Sequence, residues 1–171
     1  MHVSKTIRIS TLLLTTTVVA ASNGQINPRH LLQMNYDKIS RLSMKRDKVN
    51  LERLIQRNAA SNFEYIDEMK NSLDLAATVR QNTEQISRVT QFNSASNKII
   101  GVKVQGQHFI CTVKTTYDVF MDAEGKVRVT GTGVSKDTWV KTLKGWKIKQ
   151  SESVNQSSYM NGKLLKRKVS L

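Results

Sequence analysis

Phe109-Ile-Cys-Thr-Val-Lys-Thr-Thr-Tyr-Asp-Val-Phe-Met121 decides the architecture. Phe109, Cys111, Val113, Thr115, Tyr117, Val119 and Met121 share one face over seven alternate positions, while Thr112, Lys114, Thr116 and Asp118 take the other. Side chains alternate across a strand, so the pattern predicts a long half-buried strand with one face on a core. Ile100, Val102 and Val104 make a shorter run of the same kind ahead of a turn at Gln105-Gly106. Asp122-Ala-Glu-Gly125 then places a glycine where a hairpin wants positive φ. Val127 to Leu143 reads as a second long strand, and Gly131-Thr-Gly133 inside it predicts a bulge or a strong bend. Lys144-Gly145 turns the chain into a closing strand, Trp146 to Ser153.

Upstream the period changes. Asn27-Pro28 suits the start of a helix, and Leu31, Leu32, Ile39, Leu42 and Val49 recur at helical spacing. Asp47 caps a second helix from Lys48 to about Asn58, with Leu51, Leu54 and Ile55 as its apolar stripe. Asn62 to Ile66 alternates as a short strand, and Ser72 to Val89 returns to a helical pattern. Helices followed by a bent antiparallel meander give an α+β layout, with the helices packed in the curve of the sheet. Such a sheet leaves a cavity wherever its concave face is unfilled. The aromatic residues available to line it are Tyr36, Phe63 or Tyr65, Tyr117 and Trp139.

Composition limits the class. The chain has 171 residues, 39% of them apolar, with one Cys and one Pro, which suits a single domain and not a disordered or disulfide-knit chain. Residues 1–22 combine Lys5 and Arg8, a short apolar run from Thr11 to Ala21, and small residues before a polar stretch, the pattern of a signal peptide. The run is too short and too rich in threonine to serve as a permanent anchor, so the expectation is a secreted or periplasmic protein with no transmembrane anchor after cleavage. Residues 23–158 are expected to form the domain, and residues 159–171, with Lys163 to Lys168, a basic tail. Cys111 can form no intrachain disulfide and reads as a small buried hydrophobe. The net charge is +14, and loss of Lys5 and Arg8 would leave 25 basic against 13 acidic residues, a net of +12.

Asp137-Thr-Trp-Val-Lys-Thr-Leu-Lys-Gly-Trp-Lys-Ile148 resembles the closing hairpin of the nuclear transport factor two-like superfamily, which includes the SnoaL-like and ketosteroid-isomerase-like proteins. Lys45-Arg-Asp47, the short second helix, and Phe63 near Asp67 are similar to the opening of that family. The resemblance spans roughly residues 28–158. It implies a cystatin-like α+β cone, often a homodimer through its sheet, whose cavity serves enzymes, ligand binders and scaffolds alike.

Chemistry is sparser. A cavity isomerase or dehydratase needs a proton acceptor and a donor for an enolate; Tyr36 is the candidate donor, Asp67, Asp118 or Asp137 the candidate acceptor, and His108 either. Asp137 shares a face with Trp139 and is the better placed, its alternative being to hold a bulge or pair with Lys147 or Lys149 across the hairpin. Asp118 falls on the polar face and reads as a solvated group or a cross-strand partner of lysine. Trp139 and Trp146 would stack on a flat ligand or pin the hairpin. No zinc-ligand spacing, phosphate loop or nucleophile elbow is present, so neither a metal nor another cofactor is called for. The function expected is therefore non-enzymatic: binding of a small apolar or amphipathic molecule by Tyr36, Phe63, Tyr117 and Trp139, or an interaction module. The alternatives are the cavity enzyme on Tyr36 and Asp137, and an anion-binding surface that uses lysines such as Lys141, Lys144, Lys147 and Lys149. Aromatics are few, at 6%, so no platform for stacking nucleic-acid bases is evident.

Overall fold

The computed structural model describes residues 28–165, apart from residue 124. The expected signal peptide, residues 23–27 of the expected domain and residues 166–171 of the basic tail lie outside the described residues. Three helices, α1 (Pro28–Met44), α2 (Lys48–Asn58) and α3 (Leu75–Arg88), pack against one curved, unclosed sheet. Its strands are β1 (Ala59–Ile66), β2 (Ser72–Asp74), β3 (Val89–Gln105), β4 (His108–Asp122), β5 (Lys126–Thr142), β6 (Gly145–Met160) and β7 (Lys163–Leu164). They lie in the order β2-β1-β6-β5-β4-β3, with β7 on β6.

Helix ends follow local chemistry. Asp47 caps α2 by accepting from the Asn50 amide at 3.1 Å, and Asp74 caps α3 from the Ala77 amide at 2.7 Å. The cap at Asp74 starts α3 three residues later than the apolar period suggests, because Ser72–Asp74 pairs with β1 as β2. Val49, grouped with the first helix by spacing, is an exposed residue of α2.

The meander is antiparallel from β3 to β6, but β1 joins β6 in parallel, with Tyr65 opposite Ser151. Of the bulge or strong bend expected at Gly131-Thr-Gly133, a bulge is absent from the β4–β5 ladder, which runs unbroken from His108–Val140 to Asp122–Lys126. Register shifts fall instead between β5 and β6, at Val134/Ser135 and Thr138/Trp139. Gly131 has another reason to be glycine: a Cβ there would stand 2.2 Å from the Tyr117 hydroxyl, so its absence admits the tyrosine ring. The closing strand continues to Met160, past the expected Ser153, and β7 folds back onto it, so the sheet extends beyond residue 158.

Edges are managed locally. The Ile99 amide of β3 donates to Gln33 Oε1 at 2.9 Å, Gln33 Nε2 donates to the Asn97 carbonyl at 2.8 Å, and Arg29 donates to the Ile99 carbonyl at 2.8 Å. Side chains of α1 thus occupy edge groups that a further strand would need.

Candidate functional site

Helical spacing puts Leu32, Tyr36 and Ile39 of α1 on one stripe, and all three are buried. That stripe meets the inward positions of β5, so Tyr36 lies beside Asp137 and Trp139. The Tyr36 hydroxyl donates to Asp137 Oδ2 at 2.8 Å and accepts from Trp139 Nε1 at 3.2 Å, while Ser151 Oγ of β6 donates to Asp137 Oδ1 at 2.7 Å. The Tyr36 and Trp139 rings meet edge to face, centroids 6.2 Å apart. Each carboxylate oxygen thereby has a hydroxyl donor, as a buried charge requires. Tyr36, Asp137, Trp139, Ser151 and Cys111 all have 0% exposure.

Burial, only partly offset by the Ser151 and Tyr36 hydrogen bonds, pushes the Asp137 carboxyl up to about 6. Burial, reinforced by the Asp137 charge, raises the Tyr36 hydroxyl well above its ordinary value and the Cys111 thiol to about 12. Cys111, opposite Asp137 across the β4–β5 ladder, is accordingly a neutral, inert thiol. The Tyr–carboxylate pair therefore forms, but within packed core. Phe63 belongs to the same apolar cluster.

The hollow lies elsewhere. Two apolar clusters fill the cone. One is built on Leu32, Tyr36, Ile55, Phe63 and Trp139, the other on Val89, Tyr117, Val119, Met121 and Val129. Between them is a cavity of about 90 Å³, walled by Ile39, Leu51 and Ile86 of the first cluster and Val89, Phe92, Tyr117, Val119 and Met121 of the second. Its polar wall includes Asn82, Asn97 and Thr115. Asn97 is locked, accepting from Thr115 Oγ1 at 2.6 Å and donating to Ser40 Oγ at 2.9 Å. Asn82 donates to the Thr78 carbonyl at 2.7 Å, a bond that does not use its amide oxygen. Tyr117 shares a 2.6 Å hydrogen bond with Ser158, and burial raises its hydroxyl above the ordinary value.

Of the four aromatic residues proposed to line a cavity, the structure therefore gathers Tyr36, Phe63 and Trp139 in the filled cluster and sets Tyr117 alone on the hollow. The other acceptors are committed. Asp67 accepts from the Met69 and Asn71 amides in a turn, and Asp118 is held below the usual carboxylate range by two hydrogen bonds from Arg128, at 2.7 and 3.0 Å. His108 is exposed on β4, and Trp146 stacks on Phe109 with centroids 4.3 Å apart. Composition and motifs do not single out Asn82 and Asn97 as site residues. Their signal was a polar residue at an inward position, on the α3 stripe of Thr78, Val79 and Ile86 and on the inner face of β3. Among the described residues no group of three His, Cys, Asp or Glu could hold a metal ion.

No family model and no curated protein matches the chain in sequence. Solved structures do match in shape. An NTF2-like protein from Cytophaga hutchinsonii is 9% identical over 75% of this chain and 98% of its own, with a TM-score of 0.56. A candidate Ca/calmodulin-dependent kinase II association domain from Exiguobacterium sibiricum is 14% identical over 85% and 99%, also at 0.56. A candidate scytalone dehydratase from Novosphingobium aromaticivorans is 15% identical over 77% and 90%, at 0.50. The three helices and the curved, unclosed sheet agree with these likenesses, and the chain has the nuclear transport factor two-like fold.

Proposed function

We propose that the hollow between the two apolar clusters binds a small, flat, largely apolar molecule, making the chain a ligand-binding module. The observation that carries this reading is the wall itself: mainly apolar surface from both clusters, polar side chains of which Asn82, Gln85, Asn97 and Thr115 are examples, and no Asp, Glu, His or Lys. Few polar groups set in an apolar concavity are what small-molecule sites use for orientation. At about 90 Å³ the hollow is smaller than the roughly 300–1,000 Å³ of drug-sized pockets, which favours a ligand the size of one or two rings.

The same wall argues against acid–base catalysis in the hollow. A general base must reach the proton that it takes, and Asp137, with its hydroxyl partners Tyr36 and Ser151, is sealed in packed core. One of the similar structures bears a dehydratase's name and another an association domain's, so the fold alone favours neither use. Export, read from residues 1–22, belongs to the same proposal: a ligand-binding module acting outside the cytoplasm.

Calorimetric titration with indole tests the binding reading. Wild type is expected to give a saturable heat. Ala95→Trp, which adds a ring to the wall, should weaken binding by at least about ten-fold, roughly the loss of one well-made contact surface. Equal affinity in the two proteins would remove the hollow from consideration.

A further inference from the structure

The tip of the β5–β6 hairpin is the most exposed apolar point among the described residues. Leu143 has a relative exposure of 108%, beyond that of any other large hydrophobic residue described. The turn that presents it is held firmly: the Thr142 hydroxyl donates to the Gly145 carbonyl at 2.8 Å and accepts from the Lys144 amide at 3.2 Å, and Gly145 takes φ 95°. Lys141 and Lys144 flank the leucine and are exposed. Just behind, Lys147 donates to the Arg57 carbonyl at the end of α2, bringing the α2 and hairpin charges together. Lys147 is held below its ordinary value by burial and by the Arg57 and Lys144 charges, as expected where cations crowd without relief.

No carboxylate relieves them nearby in sequence. Residues 138–151 contain four lysines and no acid, and residues 85–117, which form β3 and most of β4, contain none either. The β3–β4 turn lies at the same end of the sheet, with His108 opposite Val140, and it adds Lys103 and the exposed Val104. The molecule thus concentrates positive charge around a projecting leucine at one end.

We propose that this hairpin tip docks on an anionic lipid surface, Leu143 entering the headgroup layer while Lys141, Lys144 and Arg57 face the acidic headgroups. A cationic surface alone would suit any polyanion. The leucine selects the membrane, since an apolar side chain gains by leaving water only where an apolar layer receives it. Trp146, stacked on Phe109 behind the turn, supplies the amphipathic ring that suits such an interface. The inference is independent of the ligand reading, because none of these residues lines the hollow.

Vesicle co-sedimentation of the full chain tests it, with phosphatidylcholine–phosphatidylserine vesicles against phosphatidylcholine alone. Binding is expected with phosphatidylserine at low salt and should fall as salt rises. Lys141→Gln with Lys144→Gln should weaken it by roughly 25-fold, at about five-fold for each basic residue near the surface. Leu143→Ser should weaken it by about ten-fold, and Leu143→Trp should strengthen it, both with unchanged melting curves because the side chain is fully exposed. Absence of binding to phosphatidylserine at low salt would overturn the proposal. So would equal binding by Leu143→Ser and wild type, which would assign the surface to soluble acidic polymers.

Discussion

Asp137 shows what one buried group can do to the pH response. Its carboxyl titrates at about 6 in the folded protein, against 3.8 as its unperturbed value. Between those values the folded chain holds a proton that the unfolded chain has lost. Stability therefore falls as pH rises through that window, by up to about 3 kcal/mol, and is level in this respect above it. Asp137→Asn removes the titration while an amide can still accept from Tyr36 and meet Ser151. Thermal melting from pH 4 to pH 8 is expected to show a smaller decline for the variant, and parallel curves would contradict the assignment. The pairing with Tyr36 was partly legible, since both residues take inward positions in their own elements. Their joining across 101 residues was not, nor was the fact that they would be sealed. Inward periodicity says that a side chain is buried. Whether it faces other side chains or a void depends on packing between elements distant in sequence.

At the level of elements, Gln33 ties α1 to the β3 edge with two hydrogen bonds, beside those of Arg29 and Ser40. Gln33→Ala leaves the Ile99 amide and the Asn97 carbonyl without that partner, which is expected to cost about 1–2 kcal/mol. The Ile99 amide should exchange with solvent about ten-fold faster or more, with little change at Val113 opposite, and equal Ile99 protection in the two proteins would refute the edge-capping role. The elements that could be read were those with a clean period. The alternation of Phe109 to Met121 gave β4 directly, and Asp47 gave the start of α2. The second half of β6 was hidden because Val154-Asn-Gln-Ser-Ser158 lacks an alternating apolar face; backbone pairing to β5 holds it in the sheet. The parallel joining of β1 to β6 was hidden as well, since pairing direction leaves no mark on a single strand. Gly131 is glycine for a reason other than the bulge that its position suggests, because a close tyrosine and a bulge ask for the same residue.

For the whole molecule, the account rests on how the cone is filled. One cluster, around Trp139, closes part of the interior with aromatic rings; the other, around Val119 and Met121, stands apart and leaves a space with a mainly apolar, uncharged wall. The sequence carried the cone and its helical lining, but it assigned the cavity to the aromatic residues, which instead pack against one another, as large rings in a core tend to do. The most direct measurement is a methyl-resolved NMR titration of the full chain with indole. Methyl shifts should concentrate on Ile86, Val89, Val119 and Met121, while Leu32, Val113 and Ile148 in the filled cluster stay unmoved. Shifts centred on that filled cluster, or no shifts at saturating indole, would contradict the account.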